Sequence, residues 1–564
     1  MSDLADLRSA RTLPQLARVL GVKSVALSSA LYWLRPDQKY NIFSIPKKGG
    51  GRRAITAPSP QLKYIQSKLA VLLAAIQSDL ERSRTKRQCV LSHGFKKEYS
   101  IITNASLHRN RRFVFNADLK DFFPSINFGR VLGFFLKDQN FKLDAKIATI
   151  IAQIACHNNQ LPQGSPCSPV VSNLIAHILD IHLNRLAASC RCTYTRYVDD
   201  LTFSTNEKSF PIPIGRFSED LGRWVAGNEF LVSVYRSGFQ LNESKTRLQQ
   251  RDSRQDATGL IVNKKVNVRH EYYKEVRAMC HQLFCNGFSY VKSDGRVVPV
   301  SDEKLLGMMN FIYQIRKLKT ENFKVEQKGF FELYGKLLDY HSFYGLARPR
   351  IICEGKTDAI YLRSAIRALQ DRFPGLVKPP ASSTLLVDFF NYTPAAALFQ
   401  GLSGGGDELN KLLSRFGSRI SSFHGGPYHP VIMVVDNDDG SKKIFAHLSN
   451  ILGTGITGAE GFYHAYANLY VVPIPKVGPK TAIEDLFDSD VLAKKIDGKE
   501  FDRTGKEKDG TKWYGKFEFA TKVIRPERES IKFDRFEPLL KAFVDVMDDY
   551  ANRRATIAAK ARAA

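Results

Sequence analysis

Four apolar stretches in this chain run into carboxylates. VFNADL reaches Asp118, RYVDDLTFS carries Asp199 and Asp200, IICEG carries Glu354, and VIMVVDNDDG carries Asp436, Asp438 and Asp439. Hard oxygen ligands at the end or turn of a buried strand suit a divalent cation such as magnesium. A pair of such ions, about 3.5–4 Å apart, supports the in-line displacements that join or cut nucleotide strands. Taken singly, each motif is equally a solvated turn or a helix cap, because aspartate favours both.

The acids need strands to carry them. FVFNADL (113–119) and TRYVDDLTFS (195–204) read as strands, with Asp199 and Asp200 at a hairpin-like step, so pairing would bring three acids together. Strands at about 350–353, 384–390, 430–435 and 468–473 alternate with helical stretches, which predicts a largely parallel, doubly wound sheet. Ligands of such sheets sit outside the carboxyl ends of the strands, where Glu354, Asp436 and Asp438 fall. Pro349 marks the join to this region, and the preceding 270–345 stretch is helical, basic and aromatic, with Tyr272, Tyr273, Phe284, Phe288 and Tyr290. At the N-terminus Thr12 and Pro14 open a helix and Gly21 stops it. That outline fits a helix-turn-helix, but no base-reading face is marked, and helices packing on the next domain are expected. After about residue 490 a charged, glycine-dotted stretch leads to a terminal helix with a basic, alanine-rich tail.

At 564 residues and 43% hydrophobic content, the chain can bury several cores. Its formal charge is +27, and residues 1–120 hold 22 Lys and Arg against 7 Asp and Glu, so a polyanion is the expected partner. MSDLADLRSARTLPQLARVLGV has no signal-peptide or myristoylation pattern, and no apolar run approaches the roughly 18 residues that span a bilayer. Nucleic acid rather than a membrane is therefore expected. The eight cysteines include no CxxC pair, which suggests reduced thiols in a cytoplasm rather than a structural zinc site.

Three segments in order, NADLKDFFPSI, LPQGSPCSPVVSNL and RYVDD, resemble the catalytic motifs of reverse transcriptases. The resemblance implies a right-hand polymerase of fingers, palm and thumb that uses deoxynucleoside triphosphates and two Mg²⁺ ions held by Asp118, Asp199 and Asp200. It puts Phe123 at the steric gate against a ribose 2′-OH, and Gln163 and Gly164 along the incoming nucleotide. FSIPKKGGGRRAITAPSPQLKYIQ resembles the fingers segment, where Lys47, Lys48, Arg52 and Arg53 flank a glycine run and suit a triphosphate. For any one of these four, a solvated charge cluster is the alternative. Lys245, in SGFQLNESKTRL, falls where the family has a lysine near the transferred phosphate.

Two shorter segments resemble retron enzymes in particular: the NAxxH pattern of Asn104, Ala105 and His108, and Ala257-Thr258-Gly259 in place of the usual Val-Thr-Gly. They speak against an intron or mobile-element enzyme. The resemblance implies RNA binding through Asn104, His108, Thr258 and Gly259. It further implies a cognate structured noncoding RNA, priming from an internal 2′-OH, and a branched RNA-linked DNA product (msDNA) in a bacterial cytoplasm.

EGKTD (354–358) followed by DND (436–438) on a later strand resembles a Toprim domain of the kind found in topoisomerases, primases and OLD-type nucleases. This implies Glu354 as general acid/base or metal ligand, Asp436 and Asp438 as ligands of one or two Mg²⁺ ions, and Lys356 and Asp358 as their support. Asp439, and Glu484 and Asp485 of IEDLF, are further acidic candidates. The expected architecture is multidomain α/β and α+β. Fingers and palm span 1–270, a helical thumb or RNA-docking region 271–345, a Toprim-type doubly wound parallel α/β domain 346–495, and a charged loop with a helical extension 496–564. The expected function is a retron reverse transcriptase with a nuclease effector that acts on a nucleic-acid target in antiphage defence. The competing reading makes the Toprim region a catalytically silent module that clamps the hybrid and builds a homo-oligomer.

Overall fold

A computed structural model describes residues 3–46, 51–83, 90–293, 295–317, 323–378, 384–503, 507 and 509–563. The chain divides into two compact units, 1–270 and 271–564.

The first unit is organised around a four-stranded antiparallel sheet. Its strands are β3 (Phe113–Asp118), β4 (Thr193–Tyr197), β5 (Asp200–Thr205) and β6 (Arg247–Gln250), in the order β4-β5-β3-β6. Central β3 is buried at every position after Phe113, which explains why its residues 113–115 do not alternate with polar ones, and buried Asn116 is hydrogen-bonded to Asp256 O at 2.9 Å. β4 and β5 form a hairpin with Tyr197 opposite Asp200, and β3 meets β5 with Asp118 opposite Asp200. The pairing read from the sequence thus places all three acids at one sheet end. Upstream lies a hairpin of β1 (Tyr40–Pro46) and β2 (Arg52–Pro58). Thr12 caps the helix Leu13–Val19 through a capping box with Gln15, while Leu7, Leu16, Leu20 and Leu27 enter the same core as Phe115 and Phe203. These N-terminal helices therefore serve packing; each buried leucine contributes roughly 2 kcal/mol.

The second unit holds a five-stranded sheet. It comprises β9 (Arg350–Cys353), β10 (Asp388–Phe389), β11 (Val431–Val435), β12 (Tyr463–Tyr466) and β13 (Leu469–Pro473), ordered β10-β9-β11-β13-β12. All neighbours are parallel except β12, which runs antiparallel on β13 at the edge. The strand expected over 384–390 is reduced to two residues.

Two expected boundaries do not separate bodies. The helical stretch 271–345 is tied into the α/β unit: Arg419 pairs with Asp339 at 2.9 Å, Asn468 Nδ2 donates to Phe343 O at 2.9 Å, and Tyr344 Oη donates to Phe423 O at 3.1 Å. The region 496–564 is equally internal, since Phe519, Phe536, Leu540 and Phe543 share one core with Ile351, Ile432 and Tyr470. Of the five aromatics singled out in 271–345, Phe284 is core and Tyr273 lies under Arg316. Of the five, only Phe288 is exposed. Among the described residues no helix is long and apolar enough to cross a membrane.

Candidate functional site

The carboxyl end of β3 opens on a cavity of about 980 Å³. Its lining brings together Arg52, Arg53, Asp118, Phe123, Gln163, Gly164, Asp199, Asp200 and Lys245. Lys47 and Lys48 lie outside the described residues. β2 supplies the two arginines; Arg52 Nε donates to Ser44 Oγ across the hairpin at 2.6 Å, while Arg53 is near enough to Asp199 to favour its ionised form. The same strand is tied to the LPQG loop, because the Thr56 N–H donates to Gln163 O at 2.7 Å. Gly164 follows at φ +129°, and a Cβ there would stand 2.7 Å from the Thr56 carbonyl oxygen, so both conformation and space require glycine. Phe123 packs beside Phe95 and Phe122, with ring centroids 6.3 and 5.4 Å away.

The acids repel one another, and a cation is hydrogen-bonded to the first of them. Lys245 Nζ donates to Asp118 Oδ2 at 2.8 Å. Asn242 adds a backbone donation to Asp118 O at 2.7 Å, and the Leu119 N–H holds Asp199 O at 2.9 Å. Burial, then the charge of Asp118, raises Asp199; burial, then Asp199 and Asp118, pushes Asp200 up to about 7. The turn itself is strained, since β-branched Val198 sits at φ +61° immediately before the pair. Phe95, Asn242 and Val198 are members of the site that motif reading missed, although Asn242 stands three residues before Lys245 in a segment already singled out.

The retron-type segments assemble with each other but face inward. Asn104 and His108 belong to or cap α1 (Ile101–Leu107), and both are 0% exposed. The His108 ring lies 2.8 Å from Ser204 Oγ and 2.7 Å from Thr195 Oγ1, and burial lowers its pKa to about 3. Thr258 and Gly259, at φ +47° and +82°, make the two-residue turn between β7 (Asp256–Ala257) and β8 (Leu260–Ile261). Thr258 Oγ1 donates to Ile101 O at 3.3 Å, joining the turn to the helix. The expectation that Asn104 and His108 contact RNA is therefore corrected: neither side chain reaches the surface.

A second acidic cluster forms where β9 and β11 end. Glu354 follows β9 and accepts backbone donations from Asp436 and Gly406, yet its Oε2 is buried without a partner. Burial, then neighbouring acids, raises Glu354, holds Asp358 at about 6, and pushes Asp436 up to about 8. Asp438 and the 1%-exposed Glu484 add to that repulsion. Lys516, far along the chain and not anticipated, stands 3.0 Å from Glu484 Oε1 in a charge contact without hydrogen-bond alignment. Asp439 instead pairs with Lys442 and Lys480 on the surface, and Asp485 caps its own turn through the Ala482 N–H at 2.8 Å and pairs with Arg503. Neither joins the cluster. Lys356 is exposed.

Among the described residues, no three potential ligand side chains in either cluster close around a common point. The donor sets nevertheless fit magnesium: both are all-carboxylate, burial and then neighbouring acids raise Asp200 in the first and Asp436 in the second, and Glu354 Oε2 stands unpartnered in the second.

Comparison with known proteins covers the unit that holds the first cavity. A family model described as "Reverse transcriptase (RNA-dependent DNA polymerase)" matches residues 45–268. Retron Ec86 reverse transcriptase of Escherichia coli is 33% identical over 309 residues, covering 53% of this chain and 84% of that protein. Retron Mx65 reverse transcriptase of Myxococcus xanthus is 34% identical over 290 residues, 48% of this chain and 63% of its own length. Retron Mx162 reverse transcriptase, also from Myxococcus xanthus, is 31% identical over 301 residues, 49% and 59% respectively. With its carboxylates, its fingers-like hairpin and its LPQG loop converging on one cavity, and a third of its aligned residues shared with an enzyme it spans almost throughout, the chain belongs to the retron reverse transcriptases.

Proposed function

We propose that the 980 Å³ cavity copies part of a cognate noncoding RNA into RNA-linked DNA, starting from a 2′-OH of that RNA. The observation that carries this reading is the convergence on one cavity of acids, arginines, an aromatic gate, the LPQG loop and Lys245 from five separate segments. Asp118, Asp199 and Asp200 would hold magnesium, which when bound supplies charge neutralisation and eases ionisation of the attacking hydroxyl. Arg52 and Arg53 attract the triphosphate, and Phe123, backed by Phe95, presses where a ribose 2′-OH would sit. Lys245 balances Asp118 until substrate arrives and then lies within reach of the transferred phosphate. Replacing Asp199 and Asp200 together by Asn should abolish branched DNA in cells while RNA still co-purifies, because the ligands go but the basic surface stays. DNA synthesis persisting in that double variant would sink the assignment.

For the second cluster the reading is a Toprim-type, magnesium-dependent nuclease acting in antiphage defence. It is supported by acids at the carboxyl ends of adjacent parallel strands and by a free buried oxygen on Glu354. Purified full-length protein should cut DNA or RNA with Mg²⁺, and Asp436→Ala should not. The Lys516–Glu484 contact favours the other reading, a silent binding module in which one of the acids already has a cation beside it. That module becomes the better account if Glu354→Gln leaves defence intact.

A further inference from the structure

With Asn104 and His108 inside the protein, other groups must meet RNA. Six exposed cations flank the retron-type segments: Arg109 and Arg112 after the helix, Arg251 and Arg254 before the turn, and Lys264 and Lys265 after it. None is ion-paired among the described residues, and the exposed carboxylate on the same loop is Asp252. Three chain segments thus bring uncompensated positive charge to one place.

The frame under them is rigid. Gln255, 0% exposed, donates through Nε2 to Arg111 O at 3.1 Å and Arg112 O at 3.2 Å. Asn263 Nδ2 donates to Ser253 O at 2.6 Å, and Asn263 Oδ1 accepts from the Gln255 N–H at 2.8 Å. The Asn110 N–H reaches Val262 O at 2.8 Å, and the Arg112 N–H reaches Asn206 Oδ1 at 2.8 Å. Between the first two of these segments runs a groove of about 570 Å³ lined by Arg112, Phe113, Asn206, Gln250, Arg251 and Asp252, and Asn263, next to Lys264, joins its rim by donating to Arg251 O at 3.2 Å. Phe113 and Gln250 pair at the start of β3, whereas Asp118 ends it, so the groove lies about 17 Å along the strand from the polymerising acids.

We propose that this groove grips the phosphate backbone of the folded noncoding RNA, while Asn104, His108, Thr258 and Gly259 serve as the frame that sets its shape. The inference rests on the retron reading given above. Arginine forks and lysine charges without carboxylate partners suit phosphates. The position favours RNA over nascent DNA: the new strand forms at the opposite end of β3, and a folded RNA is recognised by shape and backbone across a broad surface.

The test compares the full-length chain with a variant carrying Arg112→Glu, Arg251→Glu, Lys264→Glu and Lys265→Glu. The probes are a structured RNA hairpin, a DNA hairpin of matching sequence, and poly(rA)/oligo(dT) extension, which needs only the catalytic cavity. RNA affinity should fall at least about tenfold and the slope of log K against log salt should drop by roughly two to four, with DNA affinity and extension within about twofold of wild type. A milder variant, Lys264→Gln with Lys265→Gln, should lose about threefold in RNA affinity and guards against misfolding of the first. RNA affinity within twofold of wild type in both variants overturns the proposal, and equal loss for the DNA hairpin overturns its commitment to RNA. Failure of wild type to make RNA-linked DNA in cells would instead overturn the retron function and leave this binding comparison intact.

Discussion

Arg196 and Asp180 form a two-point ion pair inside the first unit, with Nε–Oδ1 and Nη2–Oδ2 both at 2.8 Å and side chains 0% and 2% exposed. Tyr194 Oη donates to the same Asp180 Oδ1 at 2.9 Å, and Arg196 Nη1 donates to Val198 O at 3.0 Å. The pair thus grips the strained residue that precedes Asp199 and Asp200. Leaving either charge buried and alone costs about 3–5 kcal/mol. Asp180→Asn should lower unfolding stability by that order and reduce kcat for primer extension more than it changes KM for dNTP. Arg196→Lys should recover part of the stability but little of kcat, because the fork that holds Val198 is lost. A melt shifted with kcat unchanged would show that the pair serves packing only.

Phe123 lines the cavity beside Phe95. Phe123→Ala should relax the preference for dNTP over rNTP by about 10–100-fold, read as the ratio of kcat/KM values, with dNTP use reduced only modestly. Phe95→Ala should give a smaller loss of discrimination, since it removes the support and leaves the gate. An unchanged ratio in Phe123→Ala would remove that side chain from sugar selection.

His108 makes folding acid-sensitive. Burial lowers its pKa to about 3, below the ordinary 6.5, so the unfolded chain binds the extra proton in between. Stability from this residue is complete above pH 6.5 and is lost as pH falls towards 3, by at most about 1.4 kcal/mol per pH unit. Denaturant melts between pH 4 and 7 should therefore be less steep in His108→Gln than in wild type. Parallel slopes would contradict a neutral buried imidazole.

The second cluster should release protons when it takes up metal. Asp436 is pushed up to about 8, by burial first and by Asp358 next, so it is largely protonated at pH 7. Magnesium binding must displace that proton. Calorimetry in two buffers of different ionisation enthalpy should report release on the order of one proton per site, absent in Asp436→Asn. Metal-independent heats in both proteins would count against a cation site here.

The convergence of Asp118, Asp199 and Asp200 was legible because a strand end has few ways to present three carboxylates, and the three stand in ordered motifs. The second sheet was legible for the same reason: IIC and VIMVV are buried runs, and only central parallel strands read so evenly. Other features were not visible. Asn104 and His108 carry letters that suit either a surface contact or a buried bond, and sequence does not show Ser204 and Thr195 waiting for the imidazole. Asp439 and Glu484 look alike in sequence, yet surface lysines pair with one and the core encloses the other. Lys516 meets Glu484 only because the C-terminal region folds back into the unit's core.

The bond from Thr56 to Gln163, with Gly164 pressed on the same carbonyl, has a consequence for how this enzyme can change over generations. The arginine hairpin and the LPQG loop share a seam too narrow for a single methyl group. Replacing that glycine would demand a simultaneous shift of the opposing strand. The seam therefore ties together the histories of two segments that lie more than a hundred residues apart.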